Sequence, residues 1–107
     1  HNLGDYVLVE MAKLVQEILR DCDVLARWGG EEFIALLPEI SEDGAIIVAE
    51  RLRVAVEEFD FKGLPKITSS FGVTQFLHED SHESFIHRAD EALYDAKESG
   101  RNIVKKK

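Results

Sequence analysis

Residues 27–33 read Arg-Trp-Gly-Gly-Glu-Glu-Phe, two glycines and then two adjacent carboxylates set between apolar runs. Neighbouring carboxylates repel unless a proton or a divalent cation lies between them, and an oxygen-only pair suits magnesium shared with substrate phosphates. Glycines at the same point permit positive φ and leave no Cβ to keep a base or ribose off the backbone. Far along the chain, Lys97 and Arg101 stand four residues apart, the spacing at which two helical side chains can face one phosphate chain. With Asp5, these residues are the parts of a metal-dependent nucleotide site, provided the fold brings them to one end. Singly, each has an ordinary reading: glycine hairpins are common, exposed glutamates sit in water, and cations at a helix C-terminus complement the macrodipole.

The elements that must position them can be read from periodicity. Leu8, Met11, Ala12, Val15, Ile18 and Leu19 recur at spacings of three and four, which predicts an amphipathic helix from an Asp5 N-cap to Arg20. Residues 24–28 and 32–37 read as two strands joined by Gly29, Gly30 and Glu31 in a hairpin. Pro38 stops the second strand and Ser41 caps a helix over 42–59 with the stripe Ala45, Val48, Ala49, Leu52, Ala55 and Phe59. Residues 67–76 form a further strand in which Gly72 marks a bulge or a close-packing point. Ser81 opens a helix over 82–99 with the stripe Phe85, Ala89, Leu93 and Ala96, closed by Gly100 as the C′ residue. The run Asn102–Val104 is a last short strand. The expected fold is α+β, helices packed on a mainly antiparallel sheet. If successive elements alternate in direction, Asp5, the glycine turn, Lys97 and Arg101 share one end, and Arg20 and Asp23 lie at the other.

Composition narrows the class. The chain has 107 residues, 45% apolar and 32% charged, enough for one core and one folded domain. Its apolar runs are far short of the ~20 residues of a membrane span, and with no leader evident the expected location is the cytoplasm. The net charge of -8 would repel nucleic acid, and the lone Cys22, read as a small core or interface residue, offers neither a disulfide nor a metal cluster. His78, His82 and His87 match no metal spacing and are read as surface residues. The opening at His1 without a methionine reads as a cut from a longer chain.

The motif at residues 27–33 resembles the signature hairpin of the GGDEF family, the diguanylate cyclases, in its GGEEF form. The likeness runs along the chain: "HNLGD" is similar to the family's GHxxGD turn, "AERLR" to its second helix, "ITSSFGV" to its T-x-S-x-G strand, and "RADEALYDAKESGRN" to its C-terminal motif. It covers the C-terminal two-thirds of a family domain, so residues 1–107 are expected to be an N-terminally truncated GGDEF domain with a nucleotide-cyclase or polymerase-palm, ferredoxin-like sheet. The resemblance implies that a central strand, carrying a metal-site aspartate, and an asparagine that helps read guanine precede His1. It further implies that this strand lies between residues 32–37 and 67–76, leaving two inner edges without a partner.

What the resemblance implies for function is condensation of two GTP into cyclic di-GMP with release of pyrophosphate, by an antiparallel homodimer using magnesium or manganese. Glu31 would be a metal ligand, and Glu32 would assist at the metal and in deprotonating the attacking 3′-hydroxyl. Gly29 and Gly30 would give the nucleotide close backbone access, Asp5 would accept from the guanine edge, and Lys97 and Arg101 would bind phosphates. "RDCD" at residues 20–23 falls on the family's RxxD inhibitory site, where Arg20 and Asp23, joined by Arg51, would bind product. The five-residue strand separating it from the turn spans about 17 Å, so it is a separate site. An upstream sensory or receiver domain would supply control, and the location would be the cytoplasm or the cytoplasmic part of a bacterial membrane protein. Two function classes stay open: an active cyclase in the intact protein, with this chain alone inactive, or a domain that binds cyclic di-GMP or GTP without turnover. Intact Glu31, Glu32, Lys97 and Arg101 favour the first.

Overall fold

The computed structural model describes residues 3–107. His1 and Asn2, the start of the "HNLGD" motif, lie outside the described residues. The elements follow in the order α1 (Leu3–Ile18), β1 (Val24–Gly29), β2 (Glu32–Leu36), α2 (Glu42–Glu58), β3 (Phe71–Val73), α3 (His82–Glu98) and β4 (Val104–Lys106). This is the expected α+β order.

Local chemistry sets most of the helix boundaries. The Ser41 side chain accepts from Gly44 N at 3.0 Å to start α2. Ser81 and Ser84 form a reciprocal capping box at the start of α3. α1 departs from expectation: it begins at Leu3, so Asp5 lies in its first turn and is not the N-cap. An acid there still complements the helix dipole.

The strands form two separate pairs, with β1 antiparallel to β2 and β3 parallel to β4. β2 and β3 therefore belong to different sheets, the arrangement the family resemblance implies. The parallel pair differs from a mainly antiparallel sheet, and topology explains it. α3 intervenes between β3 and β4, and a helical crossover returns the chain in the same direction. The strand expected over 67–76 is limited to three residues because β4 pairs only with Phe71, Gly72 and Val73, and the last strand starts at Val104.

The core lies among the three helices and β3. Val15 of α1, Ala49, Leu52 and Val56 of α2, Ala92 and Ala96 of α3, and Phe61 are buried. Gly72 explains how β3 approaches α3 so closely: a Cβ there would stand 2.6 Å from Ala89 O and 2.8 Å from Ala92 C. The close-packing reading of this glycine holds. Arg88 of α3 ties down the chain after β3, donating to Thr74 Oγ1 at 2.6 Å, Gln75 O at 2.7 Å and Asp80 Oδ2 at 2.6 Å. Cys22 is exposed, so it is not a core residue. Among the described residues no helix is long and apolar enough to cross a membrane.

Candidate functional site

β1 and β2 make the hairpin whose tip carries the glycines and carboxylates. The register pairs Arg27 with Phe33 and Gly29 with Glu32, leaving Trp28 as the extra residue of a bulge. β1 runs through Gly29, so the tip is the two-residue turn Gly30–Glu31 rather than the three residues expected. Gly30 has φ 49°, which a side chain would strain, while an added Cβ at Gly29 or Gly30 would meet nothing within 4 Å. The backbone at the tip is thus open on the side where a side chain would project. Arg27 fixes the turn from within the hairpin, donating from Nε at 3.0 Å and Nη2 at 2.6 Å to Gly30 O. Sequence reading missed this clasp. Residue type carries no signal for it, since an arginine in a sequence does not say which carbonyl it will meet.

The hairpin is joined to α3 at the carboxylates. Glu32 Oε2 stands 3.5 Å from Lys97 Nζ, an ion pair between residues 65 positions apart with both side chains partly exposed. Glu31 is exposed on the turn. Arg101 follows α3 directly, and its position is set by a Schellman motif. Arg101 N donates to Ala96 O at 3.1 Å and Gly100 N to Lys97 O at 3.4 Å, with Gly100 at φ 108°. Asp5 is exposed in the first turn of α1. The structure brings Glu32 and Lys97 together, and it sets Arg101 on the turn that leaves the helix carrying Lys97.

Glu31 on the open turn and Glu32 beside it at the start of β2 make an oxygen-only donor set, which fits a hard divalent cation that takes its other ligands from water and phosphate. Among the described residues no cluster of three or more metal-ligating side chains forms, so Glu31 and Glu32 would be a partial set.

Arg20 and Asp23 meet between the end of α1 and the start of β1. Arg20 Nη2 donates to Asp23 Oδ1 at 2.7 Å and Nε to Oδ2 at 3.2 Å, while the Arg20 backbone N donates to Oδ2 at 2.8 Å. The Asp23 side chain is only 2% exposed, against 45% for Arg20. Hydrogen bonding from Arg20 holds the Asp23 carboxyl below the usual carboxylate range in spite of burial, which acts the other way. Arg20 Nη2 also donates to Pro38 O at 2.8 Å, tying the end of α1 to the exit of the hairpin. Arg51 is exposed on α2, and among the described residues no hydrogen bond or ion pair joins it to Arg20 or Asp23. His78, His82 and His87 are exposed, as expected.

Comparison with known proteins bears on the whole chain. The family described as diguanylate cyclase, GGDEF domain, matches residues 1–103. The diguanylate cyclase DgcM of Escherichia coli K12 is 42% identical over 104 residues, 97% of this chain and 25% of that protein. Diguanylate cyclase A of Treponema denticola is 44% identical over 109 residues, 97% of this chain and 29% of its own length. The chain therefore spans about a quarter of the length of the curated relatives it matches. Among solved structures, the active GGEEF domain of a diguanylate cyclase from Vibrio cholerae superposes with a TM-score of 0.91 at 36% identity, covering 99% of this chain and 69% of that one. The GGDEF domain of DgcB from Caulobacter crescentus, solved in complex with c-di-GMP, gives a TM-score of 0.92 at 31% identity, covering 99% of this chain and 66% of that one. A match over 103 of 107 residues, on the same helices and the same glycine hairpin, leaves one assignment: the chain belongs to the GGDEF family of diguanylate cyclase domains.

Proposed function

We propose that the full-length protein condenses two GTP into cyclic di-GMP, releasing two pyrophosphates, with a divalent cation and as a homodimer in which each protomer holds one GTP. The observation that carries this reading is the pairing of Glu32 on the glycine hairpin with Lys97 on α3, residues that sequence separates and the fold joins. A carboxylate pair beside a lysine is suited to a polyphosphate held partly through a cation and partly by direct charge contact. This lets a domain of net charge -8 hold a polyanion.

Glu31 and Glu32 would hold magnesium or manganese, which when bound stabilises negative charge on the phosphoryl oxygens. Glu32 takes part in deprotonating the attacking 3′-hydroxyl. Gly29 and Gly30 admit the nucleotide to the backbone, supported by the open space where their side chains would be. Asp5 accepts hydrogen bonds from the guanine edge. Lys97 and Arg101 bind phosphates and offset the charge that develops in in-line displacement at the α-phosphate. Arg20, Asp23 and Arg51 form a separate site for the product, supported by the exposure of the Arg20 guanidinium. The DgcB domain solved with c-di-GMP makes that ligand a reasonable probe.

The test is to incubate the full-length protein and its Glu31→Ala variant with GTP and magnesium and to separate products by chromatography. The parent should form cyclic di-GMP and the variant should lose activity by orders of magnitude while staying folded, because a group acting mainly in the transition state is removed. A variant with near-parental rate sinks the assignment of Glu31, and a parent that binds GTP without turnover makes the domain a binding module.

A further inference from the structure

The chain leaves α3 through three consecutive left-handed residues, Gly100 at φ 108°, Arg101 at 63° and Asn102 at 50°. Only the first is a glycine, and side chains rarely adopt this conformation twice running unless the surroundings hold it. The holding group is Asn102. Its Oδ1 accepts from Arg53 Nη1 at 3.0 Å, its Nδ2 donates to Glu57 Oε2 at 2.8 Å, and its backbone N donates to Ser70 Oγ at 3.1 Å. Arg53 is itself fixed, since Nε and Nη2 bind the Glu50 carboxylate at 2.8 and 2.6 Å and Nη1 lies 3.5 Å from Glu57 Oε1. One residue later Ile103 O accepts from Phe71 N at 2.9 Å. The turn is thus fastened to α2 and to β3 immediately after Arg101, whose own side chain is exposed and makes no hydrogen bond or ion pair among the described residues.

We infer that Asn102 is a positioning residue: its side-chain bridge to Arg53 and Glu57 of α2 holds the left-handed turn that presents Arg101, next to Lys97, to a nucleoside triphosphate's phosphates. The inference rests on the phosphate-binding role proposed above for Arg101. The residue type is what the two demands together require. Asparagine tolerates positive φ, and it alone of the residues that do so readily offers both an acceptor for the Arg53 cation and a donor for the Glu57 carboxylate. Aspartate would keep the first bond and set two carboxylates against each other at the second. Glycine would keep the backbone and lose both bonds. The geometry at this position therefore separates conformation from bridging, which an experiment can exploit.

The full-length protein, with Asn102→Gly, Arg101→Ala and the double variant, is assayed for turnover of GTP with magnesium and for equilibrium binding of a non-hydrolysable GTP analogue. Asn102→Gly should raise KM and the analogue's dissociation constant about tenfold, the scale of one misplaced phosphate contact. In the Arg101→Ala background the same substitution should change either constant less than about twofold, because the side chain it positions is gone. A merely structural Asn102 would give multiplicative effects in the double variant, and that result overturns the inference, as do parental constants for Asn102→Gly. If Arg101→Ala raises KM while Asn102→Gly does not, the inference alone fails. If the parent neither binds the analogue nor turns over GTP, the proposed function fails and takes the inference with it. Should Asn102→Gly not fold, Asn102→Asp, which has the same shape but lacks the donor, supports the same comparison.

Discussion

Replacing Gly72 with alanine tests the packing that fixes α3, the helix carrying Lys97. The added Cβ would stand 2.6 Å from Ala89 O and 2.8 Å from Ala92 C, and it would press on Leu93 N. Ala89 O and Leu93 N are the acceptor and donor that pair across one turn of the helix, so the methyl would be driven into the helix backbone itself. Ordinary contact begins near 3.4 Å, so the site is short by roughly 0.6–0.8 Å at Ala89 O and Ala92 C and by more at Leu93 N, and backbone on both sides leaves no rotamer to absorb it. Overpacking of this kind costs about 1–3 kcal/mol, and rigid neighbours place Gly72→Ala near the top of that range. For a domain of this size the loss corresponds to a fall in Tm of about 10–20 °C, read by circular dichroism during heating. Gly44→Ala is the control. Its Cβ would meet side chains alone, Ile40, which can move, and the Ser41 Oγ at an ordinary contact of 3.4 Å, and alanine inside α2 gains about 0.5–1 kcal/mol of helix preference. A Tm for Gly72→Ala within 3 °C of Gly44→Ala, taking about 3 °C as the scale of a negligible change, would refute the close-packing argument.

Three further outcomes follow from the same structure. Gly29→Ala should leave stability within about 0.5 kcal/mol of the parent, since its Cβ meets nothing, yet raise KM for GTP if a nucleotide lies against that backbone; unchanged KM places the nucleotide elsewhere. Asp80 is held well below the usual carboxylate range, chiefly by hydrogen bonds from Arg88 and then from Leu77 N. The unfolded chain binds a proton at this group near pH 4 where the folded one does not, so Asp80 adds stability above about pH 4 and loses it on acidification. Plotted against pH, the Tm gap between parent and Asp80→Asn should be constant near neutrality and close below about pH 4; parallel curves down to pH 2 would contradict the pairing. Arg20→Ala should raise the inhibition constant for cyclic di-GMP about ten- to a hundredfold with little change in initial rate. Coincident inhibition curves would leave Arg20 as a tie between α1 and Pro38 only.

The helices and the hairpin were legible because their signals are local. Stripes at three- and four-residue spacing, Ser41 and Ser81 as caps and Gly100 past the end of α3 placed α2 and α3 within a residue. What was not legible is what tertiary partners decide. The extent of β3 depends on how much of β4 runs beside it, and that pairing joins residues about thirty positions apart. Asp5 reads as a cap from its type, whereas the helix starts two residues earlier. Within the candidate site, Glu31, Glu32, Lys97 and Arg101 could be singled out from residue type and motif. The Arg27 clasp on Gly30 O and the Asn102 bridge to α2 could not, because arginine and asparagine in a sequence do not say which carbonyl or carboxylate they will meet.

These unread contacts divide the site into two parts held by different means. The cationic part belongs to α3, which is constrained along its length: Arg88 clasps the chain after β3, Gly72 packs against Ala89 and Ala92, and Asn102 fastens the turn beyond Lys97. The carboxylate part belongs to a hairpin whose Val24, Trp28 and Leu36 are each about half exposed and whose strands pack chiefly on each other. It is restrained at its exit by Arg20 on Pro38 O, at its tip by Arg27 on Gly30 O, and across to α3 by the partly exposed Glu32–Lys97 pair. A partly exposed ion pair is a weak restraint and weakens further with salt. Among the described residues the Glu32–Lys97 pair is the contact that links the two parts, and its contribution should fall as salt rises.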